Sequence, residues 1–546
     1  MKNRSDGGFS VVNWLKNAGV ENVFSVSGGV LNPIYHACSI LGLPLVHTRH
    51  EAAACFMAEA ASRVSGKLGV AAVTLGPGVT NTVTSALVAR MAGTPLLIIG
   101  AQSSTQSFER GAGMAWETLP ILEGVTKWSA HVLDAERIPE YLDIAWRKIW
   151  SGRPGPVYLE LPANVLSANV EDASVSRAPI RRPDSVARIS TDMAGRLEGA
   201  LANARRPLLI LGDEMYWTLS DDLVATIEKH NLPFTTMRLA RGAVDENHPF
   251  WAGPAYVPCN ENFTRCLKEA DCIILLGHHF EFDLAFGDGV NPKAVIVQIA
   301  SEAELLGKNR RADLAIQATP ASAVPVIAEA PQMQIDAGWT EKAIKGWSEE
   351  RAEQLDSSTD GDLHPVAVVD TVCKAMPEDT IFVTSHGNVD FWADARLRIR
   401  KPGTYLRAGQ SGALGAEVPY GLGARFANPQ VPVVVFVGDG GVGYHVSEID
   451  TSERYDRPFI IVVMDDEQWS AIALPQEKTY QETYEMKLPR RDWARVAEGL
   501  GGGGALARTP EELTKALDQA MAAGKPWIIQ VPVRSVLSPY MEFITR

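Results

Sequence analysis

The chain has 546 residues, 46% of them hydrophobic and 21% charged, and a formal net charge of −14. At about 150 residues per domain that length implies three or four domains, and the composition is that of a globular chain with large cores. The acidity excludes nucleic acid and anionic membrane surfaces as natural partners.

Taken in chain order, the sequence repeats one theme in three segments: a short apolar strand, a glycine-rich turn and an amphipathic helix. That alternation predicts an α/β fold of three doubly wound parallel-sheet domains. The first domain spans residues 1–172, with strands in VENVFSV, GVAAVTLGPG, TPLLIIGAQ and PGPVYLELP. A polar Pro/Arg-rich stretch at 174–185 reads as a linker. The second domain, 189–330, holds strands in RPLLILGDE, NLPFTTM, DCIILLG and AVIVQI, and a non-periodic stretch follows at 330–362. The third, 363–546, opens with a helix and continues through DTIFVTSHGN, VPVVVFVGDGG, RPFIIVVMDDEQW and KPWIIQVPV. The glycine run 501–504 is expected to be a loose turn before a strand.

Six cysteines, at 38, 55, 259, 266, 272 and 373, form no CxxC pair and no zinc spacing. Buried thiols in a reducing compartment are expected. The polar start MKNRSDGGFS lacks the apolar core of a signal peptide, and the apolar runs are far too short for a membrane span. A cytoplasmic protein without membrane association is therefore expected.

The strongest chemical signal is in the third segment. Gly438-Asp439-Gly440 closes one apolar strand, and 24 residues separate it from Asp465-Asp466, which close the next. Adjacent parallel strands would bring both acids to their carboxyl ends, where open α/β sheets bind ligands. A hard divalent cation held by such oxygens could bridge to a diphosphate. Gly-Asp-Gly alone is weak, and solvated turn aspartates are the bland alternative. The combination is specific. It resembles the thiamine diphosphate-dependent enzymes of the acetolactate synthase, pyruvate decarboxylase and 2-hydroxyacyl-CoA lyase type, whose signature is Gly-Asp-Gly, about two dozen residues, then Asn-Asn. Asp465-Asp466 replaces that Asn-Asn. The resemblance implies thiamine diphosphate and Mg2+ as cofactors, with Asp439, Asp466 and the carbonyl of Gln468 as metal ligands. It also places Gly438, Gly440, Gly441 and Trp469 at the cofactor.

A second signal is Arg49-His50-Glu51 ahead of EAAACFMAEAASRV. A Glu at a helix start is, in isolation, most often a dipole-favoured residue. The run from His47 to Asn81 resembles the family's pyrimidine-binding domain, in which such a Glu pushes the aminopyrimidine toward its imino form. The resemblance carries Glu51 over as the catalytic residue and Thr74, Pro77 and Asn81 as cofactor neighbours. Further along, His386, Gly387, Asn388 and Gln410 fall where the family lines the cofactor. Leu414 falls where a bulky apolar side chain bends it, although core packing would explain a lone Leu equally well. The middle segment resembles the family's central Rossmann-like domain, which in different relatives binds FAD, a coenzyme A-type nucleotide, or nothing.

These features imply a decarboxylase or carboligase, acetolactate synthase-like, acting on a 2-keto acid or related small carbonyl substrate. The alternatives are a 2-hydroxyacyl-CoA lyase or oxalyl-CoA decarboxylase-like enzyme, and a non-catalytic binding homologue that lost its metal. In the family this chain resembles, the cofactor is clamped between the first domain of one subunit and the third of another, so the resemblance implies a homodimer or homotetramer. One departure bears on substrate: near positions 113–115, where acetolactate synthases carry Phe-Gln-Glu, this chain reads Gly113-Met114-Ala115-Trp116.

Overall fold

A computed structural model describes residues 5–170, 187–257, 260–353, 361–384, 386–538 and 541; the stretch 174–185 lies outside the described residues. Three six-stranded sheets, every strand pairing parallel, organise the chain. The N-terminal sheet comprises β1 (Val23–Ser25), β2 (Leu45–His47), β3 (Gly69–Val73), β4 (Leu96–Gln102), β5 (Trp128–His131) and β6 (Pro156–Pro162), in the order β2-β1-β3-β4-β6-β5. The central sheet comprises β7 (Pro207–Leu211), β8 (Phe234–Thr236), β9 (Trp251–Pro254), β10 (Cys272–Leu276), β11 (Val295–Ala300) and β12 (Leu314–Gln317), ordered β12-β11-β10-β7-β8-β9. The C-terminal sheet comprises β13 (Ile381–Val383), β14 (Tyr405–Leu406), β15 (Val433–Gly438), β16 (Ile460–Asp465), β17 (Gly503–Leu506) and β18 (Trp527–Pro532), ordered β14-β13-β15-β16-β18-β17. The first and third sheets share one topology.

The apolar runs explain the inner strands. β3, β4, β6, β7 and β10 are buried at every position, as parallel strands covered by helices on both faces must be. The stretch 330–362, which shows no periodicity in sequence, carries the helix Trp339–Glu353. Its Trp339, Ala343 and Trp347 bury against the central sheet, so it is anchored by three residues rather than by a full apolar stripe. The glycine run 501–504 is part turn and part strand, because β17 begins at Gly503.

One element joins the first and third sheets. The helix Glu51–Ser65 starts where His50 Nδ1 accepts from the Ala52 amide at 3.0 Å, and ends at Gly66 in the left-handed conformation. Its alanine-rich body is almost wholly buried, and it packs along the helix Glu417–Ala427. Phe56 meets Tyr420 edge-on at 5.8 Å. Burial of one such aromatic contributes roughly 1.5–3 kcal/mol. A single apolar cluster therefore runs from Phe24 and Ala71, through this helix pair, to Val435 and Ile461. No helix among the described residues is long and apolar enough to cross a membrane.

Candidate active site

β15 and β16 pair with Gly438 opposite Met464, so their ends lie side by side. Asp439 begins a four-residue helix, Asp439–Val442, and Asp466 follows β16 directly. Both line a cavity of about 250 Å³, together with His386, Leu414, Gln468, Trp469 and the turn Gly438–Gly441. Trp469 lies against Gly440.

The two expected aspartates separate by role. Asp465 turns away from the cavity: its carboxylate accepts from Gln530 Nε2 at 2.6 Å and from the Glu467 amide at 3.3 Å. Asp466 faces the cavity and accepts from Ser535 Oγ at 2.6 Å, and Ser535 in turn accepts from Gln468 Nε2 at 2.6 Å. Burial, then Asp465 and Asp466, push the Asp439 carboxyl up to about 8. Burial also raises Asp466, against the hydrogen bonds from Ser470 and Ser535. Two carboxyl groups at one cavity repel each other unless a proton or a cation offsets their charge. Among the described residues no group of three or more His, Cys, Asp and Glu forms a ready metal cage. Asp439 and Asp466 offer two oxygen donors, and a bound oxyanion would complete the shell of a hard cation.

His386 lines the same cavity. Burial, then Arg407 and Arg238, hold its imidazole neutral, and its Nδ1 has no hydrogen-bond partner in the protein. Gly387 and Asn388 line it as well, but the Asn388 side chain is engaged elsewhere: it donates to Val536 O at 2.6 Å and accepts from the Ser538 amide at 2.7 Å. Gln410 is not in this lining and hydrogen-bonds Glu281 beside the central sheet.

The other half of the expected site gathers at the N-terminal sheet. Glu51 Oε2 accepts from Asn81 Nδ2 at 2.9 Å, while its Oε1 faces Gly78 of the turn after β3. Thr74 and Pro77 belong to that turn. Glu51, Thr74, Pro77 and Asn81 do not line the Asp439 cavity of their own chain.

Two further features escaped the sequence. Gly76 has φ +60, and a Cβ there would lie 2.1 Å from the Met114 carbonyl, so the 113–116 loop rests on the Glu51 turn. Met114 and Trp116 are 57% and 70% exposed, and Met114 itself adopts φ +62. Trp116 therefore does not pack into its own sheet. It borders a second cavity of about 620 Å³ with Phe108, Ala115, Leu119 and Pro120. Gln102 and His131 form the polar part of that lining. The Gln102 amide donates to Trp116 O and to Glu160 Oε1, which also lies 2.9 Å from His131 Nδ1. Burial pushes Glu160 up, but bonds from His131, Thr118, Tyr158 and Gln102 outweigh it and hold the carboxylate below its usual range. A lone His at a strand end gives no hint of this.

Three thiamine pyrophosphate enzyme domains match the chain: the N-terminal TPP binding domain over residues 5–119, the central domain over 196–327 and the C-terminal TPP binding domain over 385–531. The chain belongs to the thiamine pyrophosphate enzymes. It is 30% identical to 2-hydroxyacyl-CoA lyase 2 of Danio rerio, over 93% of this chain and 87% of the relative. It is 28% identical to the acetolactate synthase large subunit IlvG of Mycobacterium tuberculosis, over 95% of this chain and 94% of the relative. A sulfoacetaldehyde acetyltransferase of Castellaniella defragrans is 28% identical over 94% and 90%. The three matched domains follow the three sheets, and this member of the family is a thiamine diphosphate-dependent lyase or transferase.

Proposed function

We propose that the protein is a Mg2+-dependent enzyme that cleaves or forms a carbon–carbon bond beside a carbonyl, with a 2-keto acid or related small carbonyl compound as substrate. The observation that carries this is the pair of half-sites: Asp439 and Asp466 at the ends of adjacent strands, and Glu51 with Asn81 on the turn after β3. The oxygen donors, the glycine turn and the unpartnered His386 Nδ1 fit a diphosphate with its cation. Asp439, Asp466 and the Gln468 carbonyl would hold the metal, and Gly440, Gly441 and Trp469 would border the phosphates. When bound, thiamine diphosphate supplies the nucleophilic carbon and the electron sink. Glu51 would exchange a proton with the pyrimidine ring nitrogen, and Asn81 fixes the carboxylate for that task. Leu414 would support the bend between the two rings. Because Glu51 does not line its own chain's Asp439 cavity, a homodimer in which each half-site meets its partner's completes the site.

The coenzyme A lyase reading rests on the likeness to 2-hydroxyacyl-CoA lyase 2. The central sheet weighs against a nucleotide at its strand-order reversal, between β7 and β10, where open α/β sheets bind one. The turns after those strands touch: a Cβ on Gly212 would lie 2.5 Å from the His278 Cβ, and the Gly212 amide donates to Leu276 O at 2.7 Å. Asp213, Glu281 and Asp283 crowd the same edge, tied to His278 and Arg238. The experiment is a substrate panel on protein loaded with thiamine diphosphate and Mg2+: 2-keto acids and acyloins against 2-hydroxyacyl-CoAs. Turnover confined to the CoA thioesters would replace this reading by the lyase one.

A further inference from the structure

Besides Asp390, the Asp439 cavity contains a buried acid that the family signature does not call for, Glu417. Glu417 is the first residue of the helix Glu417–Ala427 and the one acidic residue in the run from Ser411 to Ala424. Its side chain lines the cavity and is 1% exposed, and neither oxygen meets a partner in good hydrogen-bond geometry, although the amides of Glu417 and Gly415 lie near it. Oε1 lies 3.5 Å from the position a Cβ would take on Gly441, two residues beyond Asp439. The carboxyl group is thus aimed at the turn that borders the phosphates.

The charges around it are mostly of its own sign. Asp390, Asp439 and Asp466 line the same cavity, and no Lys or Arg is among its described lining residues. A bound diphosphate would add several more negative charges, which one divalent cation cannot offset. A buried carboxylate facing that anion would be repelled; a carboxylic acid offers one O–H donor and no charge. Burial, reinforced by Asp390, favours the protonated form, and the amides of Glu417 and Gly415 pull the other way. An unmade hydrogen bond at a buried polar group is costly, so the O–H needs an acceptor that the protein itself does not supply.

We propose that Glu417 serves the bound diphosphate as an uncharged carboxylic acid, donating a hydrogen bond to one of its oxygens. The proposal rests on the thiamine diphosphate reading above. It is tested by titration calorimetry of thiamine diphosphate with Mg2+ into the full-length protein and two variants. Glu417→Gln keeps a donor of the same size and is expected to bind within about threefold of wild type. Glu417→Leu keeps the bulk without the donor and is expected to bind about tenfold more weakly or worse. Difference infrared spectra should show a protonated carboxyl band that shifts when cofactor is added and is missing from Glu417→Gln. Glu417→Gln binding tenfold more tightly would mean that the wild-type group is charged, and would overturn the proposal. So would Glu417→Leu binding as well as wild type, or a higher Mg2+ requirement in Glu417→Gln, which would mark Glu417 as a metal ligand. A wild type that binds no thiamine diphosphate overturns both this role and the reading beneath it; equal binding by all three proteins overturns this role alone.

Discussion

Glu59 offers a direct test of how the two halves of the molecule are joined. It lies two turns beyond Glu51 on the helix Glu51–Ser65, is fully buried, and accepts from Thr94 Oγ1 at 3.1 Å. Burial pushes its carboxyl from 4.5 to about 7, with Arg63 and the Thr94 and Tyr420 hydroxyls opposing. Below the unfolded value of 4.5 both states are protonated and the group contributes nothing to pH dependence. Between 4.5 and about 7 the unfolded chain gives up the proton while the folded chain keeps it, so stability falls as pH rises. Above about 7 the loss is complete, and at 1.36 kcal/mol per pH unit it amounts to about 3 kcal/mol as an upper bound. Glu59→Gln cannot ionise and can still hydrogen-bond Thr94. It should therefore match wild type near pH 4.5 and exceed it by up to about 3 kcal/mol at pH 8. The assay is the urea midpoint of each protein across that range, at fixed protein concentration. A stability difference that is flat with pH, or that widens on acidification, would refute a proton held at Glu59.

Glu51→Gln is expected to keep its fold and its cofactor while losing turnover by about 10²–10⁴-fold; proton exchange at C2 of the bound cofactor, followed by NMR, checks this, and an unchanged rate contradicts the role. Asp439→Ala should abolish cofactor binding. Asp466→Asn should be tolerated or bind more tightly: the amide oxygen can still accept from Ser535, and one charge, worth on the order of 4 kcal/mol at 4 Å before metal compensation, leaves the cavity. Calorimetry with Mg2+ decides, and lost binding in Asp466→Asn would show that the second carboxylate is required. The apolar, exposed Met114 and Trp116 on the Glu51 turn predict poor acetolactate formation from pyruvate and better kcat/KM for a bulkier 2-keto acid or acyloin. A clear preference for pyruvate self-condensation would contradict that.

The sequence announces the inner strands and, β17 after the glycine run apart, is silent on the edges. β4, β7, β10, β15 and β16 are continuous apolar runs because helices cover both faces. Three outermost strands lack that signal for separate reasons: β12 alternates buried and exposed, β5 is half-exposed throughout, and β14 is two residues long. The candidate site divides similarly. Asp439, Asp466, Leu414 and His386 gather in one cavity, as strand ends and glycine turns suggest. Asn388 and Gln410 show the limit, since their partners, Val536 and Glu281, come from remote segments that no local pattern identifies. Glu417 carries no motif that singles it out in the sequence, and its orientation is a matter of tertiary packing.

The shared topology of the outer sheets has a consequence for how such a site arises. β3 and β15 hold the same place in their sheets, and each is followed by a four-residue helix, Pro77–Thr80 after one and Asp439–Val442 after the other. In the proposed site, one backbone template, used twice, would face a single ligand from opposite ends, with the chemistry of each end set by what decorates the turn. Gly-Pro-Gly beside Glu51 suits a ring; Gly-Asp-Gly suits phosphate with its cation. A duplicated fold would need no new architecture to grip both ends of an asymmetric molecule, only divergence at a few turn positions in each copy. The same division would let the two ends vary separately, with carboxyl groups such as Asp466 and Glu417 confined to the Asp439 turn.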